Sequence, residues 1–276
     1  MTLSERNSFF NVEIAFCALS AILILAASFI VMPVYQNIDE NLRRPAGIVH
    51  ALFNRFLEVN YFAVHISMIM AVLFSVIGII LIYSFFEQTS APEILYITFF
   101  TVSFSFETIR LILPLSLIYD IPSLYILMAL RILLFARYFG IFSLFAASVC
   151  AAGLEMQKTR NIIMIIFIAA LIITFSVPID TQNWDASLNM VNGYISMFRL
   201  IETVSFLATV LSFFIAVNVR GSKEYVYIGI GVMLAMIGRN LLLGADNWVI
   251  PVPGILLLSI GTWFVCSKLH KIHLWL

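Results

Sequence analysis

Met197 to Val217 reads MFRLIETVSFLATVLSFFIAV. Its length and apolar content are those of a helix that crosses a bilayer. Yet Arg199 and Glu202 stand inside it. An ionised side chain near the centre of a membrane helix costs roughly 2.5–3.5 kcal/mol even on the most lenient scale. Such residues face a bundle interior or a polar cavity, and by default they mark function.

The rest of the chain has the same character. Of 276 residues, 62% are hydrophobic and only 11% are charged, and the mean hydropathy is +1.05. A soluble domain of this size has too few charges here to cover its apolar surface, so the composition predicts an all-α polytopic membrane protein. The short alternation of a membrane β-barrel is missing. Apolar runs separated by polar or proline-bearing turns predict eight transmembrane helices, roughly 9–34, 61–86, 94–119, 122–152, 161–178, 190–218, 225–243 and 252–272. The first is too long, and its leading segment too weakly positive, for a signal peptide. The stretch 36–60 is too polar to span, and its second part reads as an interfacial helix.

The two halves resemble each other. FNRFLEVNYFA, with Arg55 and Glu58, matches MFRLIETVSFLA, with Arg199 and Glu202. Pro33 aligns with Pro178, Arg110 with Arg239, and Pro122 with Pro253, in the same order. The expectation is one integral membrane domain built from a 4+4 parallel internal repeat, with halves of about 1–155 and 156–276. Repeats with an even number of spans are related by an axis along the membrane normal. Chance similarity among Leu-, Ile- and Phe-rich helices is the competing account.

Positive charge sets orientation. Arg6, Lys158, Arg160, Arg220, Lys223, Lys268 and Lys271 fall at the termini and even-numbered connections, against Arg43 and Arg44 on the other face. Both termini are thus expected in the cytoplasm, in a cell (inner or plasma) membrane. Trp184 and Trp248 would belong to the outer aromatic belt.

With that orientation, the intramembrane charges gather in the outer half. Arg55/Glu58, Glu107/Arg110 and Arg199/Glu202 share an i, i+3 spacing, which puts each pair on one helix face. Arg131 and Arg239 join them. Five guanidiniums then face three carboxylates. Unpaired buried charge is strongly disfavoured, so an anionic ligand, a lipid phosphate, or Asp120 or Asp246 should complete the set. Arginine suits bidentate recognition of carboxylate or phosphate. The candidate ligand-binding residues are therefore Arg55, Glu58, Glu107, Arg110, Arg131, Arg199, Glu202 and Arg239. A purely structural Arg–Glu network locking the halves together is the alternative. Arg137 and Lys268 are expected to snorkel to the inner headgroups. His65 reads as a packing histidine, since a lone imidazole makes a poor metal site. Gly229, Gly231 and Gly238 offer close helix approach, with a flexible gate as the other reading. Cys17, Cys150 and Cys266 read as packing residues.

No HExxH, GxSxG, P-loop or GxGxxG motif is present. Zero net charge gives no pointer to nucleic acid. No cofactor is expected. The leading expectation is a membrane-embedded sensor or ligand-binding protein for a small anionic or zwitterionic molecule or lipid headgroup. Its partners would be membrane lipids, the anionic ligand, and a cytoplasmic protein at the inner ends of spans four and eight. The alternatives are a secondary transporter of an anionic solute, favoured by symmetric prolines, and a lipid-modifying enzyme with Glu58 or Glu202 as general base.

Overall fold

The computed structural model describes residues 3–42, 58–86, 91–153 and 159–274. Eight helices long and apolar enough to cross a membrane occur among them. These are α1 (Leu3–Leu42), α2 (Tyr61–Phe86), α3 (Pro92–Ser116), α4 (Ser123–Ala151), α5 (Thr159–Ser176), α6 (Ile195–Arg220), α7 (Glu224–Leu243) and α8 (Pro251–Leu274). Large apolar side chains cover their outward faces, among them Phe29, Phe175, Leu200 and Leu211. In water such a surface would drive aggregation, whereas in lipid it is solvated. The chain is a multi-pass membrane protein.

Two boundaries differ from the sequence expectation. α1 continues past Pro33 to Leu42, although a proline there removes a backbone hydrogen bond and crowds the carbonyl four residues earlier; membrane helices tolerate such prolines where neighbouring groups satisfy the freed carbonyl. Residues 190–192 are not the start of a span. They form β2 (Met190–Asn192), paired antiparallel with β1 (Ile179–Trp184). Gly193 closes the base of this hairpin. Its N–H donates to the Pro178 carbonyl at 2.8 Å, and a Cβ there would stand 2.5 Å from Pro178 Cγ. The interfacial helix expected within 36–60 falls mainly on residues 43–57, outside the described ones.

α2, α3, α4, α6, α7 and α8 each touch the next, and α8 returns to α2, so the six form a closed ring. α1 lies against α2 and α3, and α5 against α4. Within its apolar window α3 is 78% buried, against 17% for α5, so α3 is the interior helix and α5 a peripheral one.

α3 is not uniform. Phe104–Leu111 forms a 3₁₀ stretch between Pro92–Ser103 and Ile112–Ser116. Pro114 has no N–H for the Arg110 carbonyl and crowds it. The hydroxyls of Ser103 and Ser105 donate back to Phe100 O (2.6 Å) and Val102 O (2.7 Å), a pattern that bends helices. Long 3₁₀ runs are uncommon and often mark hinges or strain. This one carries Glu107 and Arg110.

Candidate functional site: a buried arginine–carboxylate cluster

Glu107 and Arg110 are each 1% exposed. The 3₁₀ turn places Arg110 one turn beyond Glu107, with Nη1 to Oε2 at 3.4 Å. The stronger partner comes from α4. Arg137 Nε donates to Glu107 Oε1 at 2.7 Å, and Nη2 donates to Oε2 at 2.6 Å. This bidentate fork is the geometry for which guanidinium is suited. Arg137 therefore does not snorkel to the inner headgroups. Burial made the difference: a carboxylate enclosed this far needs a cation more than the guanidinium needs water.

The hairpin tip completes the cluster. Arg137 Nη2 also donates to Asn189 Oδ1 at 2.8 Å, and Arg110 Nη2 donates to the Ser187 carbonyl. Asn189 Nδ2 donates to Ser187 Oγ (2.7 Å) and to Leu243 O at the end of α7 (3.2 Å). The tip is shaped by Asp185, whose Oδ1 accepts from Ser187 N, Ser187 Oγ and Asn189 N at 2.9–3.0 Å. Leu188 takes a left-handed conformation, φ 53°, which costs energy for a branched residue. Its side chain is buried with Tyr35, Leu111 and Leu113, and that packing holds the turn. A cavity of about 110 Å³ lies beside it, lined by Tyr35, Tyr61, Pro114, Leu117, Trp184 and Leu188.

Arg239 on α7 is buried and donates to Asn240 Oδ1 at 3.0 Å. It has no carboxylate within ion-pair distance among the described residues, but it lies in the field of Glu202 and Glu107. Glu202 is half-buried on α6 and also acts on Arg137. Thus α3, α4, α6 and α7 direct charge toward one place.

Of the residues the sequence singled out, the fold gathers Glu107, Arg110, Glu202 and Arg239. Arg131 stands apart, donating to the Thr174 carbonyl and lying 5.7 Å from the Phe175 ring centre, where it ties α4 to α5. Arg199 is exposed on α6 and forms no ion pair with Glu202. Glu58 is exposed ahead of α2, and Arg55 lies outside the described residues. Nor does the balancing acid come from Asp120, which is exposed, or Asp246, whose Oδ1 accepts from Asn247 Nδ2 at 3.0 Å. Asp185, exposed at the hairpin tip, pairs with neither Arg110 nor Arg137 and acts on them only through its field. Three guanidiniums (110, 137 and 239) thus gather about one fully buried carboxylate (107), with Glu202 half-buried and Asp185 exposed beside them.

Sequence reading did not find Ser187 and Asn189, because loop residues distant in sequence carry no helical periodicity. The Asp-x-Ser-x-Asn spacing at 185–189 is a turn signal, though not one that names its contacts. Lys268, expected to snorkel, pairs with Glu224 at 3.0 Å, and Lys271 with the same carboxylate at 2.6 Å. His65 is fully buried between α1 and α2 with Nε2 2.7 Å from Ser28 Oγ. Ser28 gives its proton to Ile24 O, so the imidazole donates from Nε2. No group of three or more metal-ligating side chains occurs among the described residues.

A larger cavity, about 710 Å³, opens between α2 and α8 and is lined by Leu73, Ile77, Phe85, Ile255, Trp263 and His270 among others. It is apolar and does not reach the charges.

Comparison with protein-family models, curated proteins and solved structures finds no match to this chain.

Proposed function

We infer that this chain is a membrane-embedded binding protein that recognises a small anionic or zwitterionic molecule, or a lipid headgroup, at the Glu107–Arg110–Arg137–Arg239 cluster. The observation that carries this reading is how the arginines are satisfied. Glu107 occupies one edge of Arg137 and one N–H of Arg110, while neutral oxygens of the hairpin tip take one further N–H from each. Arg110 Nε is buried with no acceptor. Neutral acceptors are exchangeable for a charged one, because hydrogen bonds to an anion are roughly twice as strong. A carboxylate or phosphate would displace Ser187 and Asn189 and move the hairpin. Glu202 and Asp185 would receive the cationic end of a zwitterion.

In this reading the hairpin is the moving part. The signal would travel along α4 and α8 to a cytoplasmic partner. Both termini would lie in the cytoplasm of a cell membrane. The 4+4 repeat is supported by the ring, in which α2–α3–α4 and α6–α7–α8 follow in equivalent order. α5 departs from it, packing on α4 rather than on α6 as α1 packs on α2.

A second reading, transport of an anionic solute, is favoured by the 3₁₀ interruption of α3 at the level of the charges. Irregular backbone at membrane depth occurs where it lines a site or pathway.

Thermal-shift and native mass spectrometry of the full chain in lipid nanodiscs, against small carboxylates, organic phosphates and zwitterions, tests binding. A stabilising ligand should lose its effect in Arg110→Gln and keep it in Arg199→Ala. No shift and no adduct from any member of the set would leave the cluster structural. Uptake of the same ligand into proteoliposomes would favour the transport reading.

A further inference from the structure

Glu13 lies in the first apolar run, eight residues into the span that begins at Glu5, or about 12 Å along the helix at 1.5 Å per residue. It is 8% exposed, and neither carboxyl oxygen has a hydrogen-bond partner or cation. The groups around it come from three helices. Across the α1–α3 contact it meets the hydroxyl of Thr98. One turn along α1 is Cys17, whose thiol is 3.1 Å from Ser75 Oγ on α2 and also meets Ser105 on α3.

Among the described residues, no charged side chain faces Glu13 from these elements. Arg6, two turns back on α1, donates to the Phe86 carbonyl at 2.8 Å. Glu93 on α3 acts instead on Tyr96, Cys150 and Tyr225.

The hydroxyls are engaged along their own helix. Thr98 donates to Leu95 O at 2.8 Å and Ser105 to Val102 O at 2.7 Å. An ionised carboxylate there has no cation beside it and at best one neutral donor, the Thr98 hydroxyl, which must give up Leu95 O to turn toward it, a costly arrangement for a buried charge. One hydrogen removes the mismatch, since a neutral carboxyl can donate to Thr98 Oγ1.

We propose that Glu13 is a membrane-embedded proton-binding site formed by α1, α2 and α3. The bound proton is what lets α1 seat against α3. Its release requires water to enter that contact, so proton exchange and separation of α1 from α3 are one event. α3 carries Thr98 at one end and Glu107 and Arg110 on its 3₁₀ segment. The site stands on the packing of α1 alone and is independent of whether the arginine cluster binds a ligand.

The test uses the full chain in lipid nanodiscs at neutral pH. Dicyclohexylcarbodiimide, which reacts with protonated carboxyls in apolar surroundings, should modify Glu13, as mapped by peptide mass spectrometry. Infrared spectra should contain a protonated-acid carbonyl band that Glu13→Gln removes. Glu13→Gln, a neutral isostere, should melt within a few degrees of the parent, whereas Glu13→Lys should not. The infrared band decides whether the acid is protonated, even if the reagent cannot reach it. Absence of a Glu13 band would overturn the proposal. So would protection from the carbodiimide by sodium at fixed pH, which would make this a cation site.

Discussion

Glu107 holds two arginines with one carboxylate, and both oxygens are committed to Arg137. Removing one member of such a buried set leaves the others charged and unpaired, at a cost of about 3–5 kcal/mol. Glu107→Gln should therefore lower thermal stability sharply. Glu107→Leu combined with Arg137→Leu should recover only part of that loss, because Arg137 leaves with its carboxylate while Arg110 keeps only the Ser187 carbonyl. Arg199→Ala should be neutral within about 0.5 kcal/mol, as expected for an exposed site with no partner. Melting curves of the purified variants read all three. If Glu107→Gln and Arg199→Ala melt alike, the cluster does not hold the fold together. The i, i+3 spacing made Glu107 and Arg110 legible as a pair in the sequence. Arg137 was not legible, because its partner is set by where α3 meets α4.

α7 and α8 are joined at backbone distance. A Cβ on Gly231 would stand 2.9 Å from Val265 Cγ2 and 3.0 Å from Gly261 O, and one on Gly261 would meet Ala235 N at 2.5 Å. Gly238 and Gly254 interlock in the same way, with Leu258 and Leu242. The glycines recur every seven residues on both helices, so small faces meet along two turns. In lipid, where apolar burial gives helices little reason to associate, such close packing supplies much of the attraction. Gly238→Leu should separate the pair and reduce stability. Gly229→Ala should be tolerated, since its nearest contact would be an ordinary 3.5 Å to Phe213. Equal melting temperatures for the two variants would contradict this account. The same geometry favours packing over a flexible gate for Gly231 and Gly238.

Connections between odd and even spans meet on one face of the molecule. There Asn60 N donates to Asp246 O (2.9 Å), and Asn189 reaches Leu243 O. The hairpin thus bridges α3, α4 and α7 as a cover over the charges. In the orientation proposed above from the distribution of positive charge, that face lies outside. Cysteines placed at Asp120 and Asp246 should react with an impermeant maleimide on intact cells, whereas one at Lys223 should react only after lysis. The reverse pattern would invert the orientation and place the hairpin in the cytoplasm.

Helix number, span positions and the membrane class were determined by the sequence itself. They follow from the length and apolarity of continuous segments, which depend on neighbours along the chain and on the bilayer. The lone charges inside spans were equally visible, because each is an exception to its local composition. Only the tertiary structure decided which charges meet. Arg131 and Arg199 look like cluster members in sequence, yet one ties α4 to α5 and the other is exposed. Arg137, Asp185, Ser187 and Asn189 join the cluster from α4 and a loop tip. Depth along a helix can be counted from sequence, but facing depends on helix rotation and ring order. Those are set by packing contacts distributed over many residues, and no local pattern encodes them.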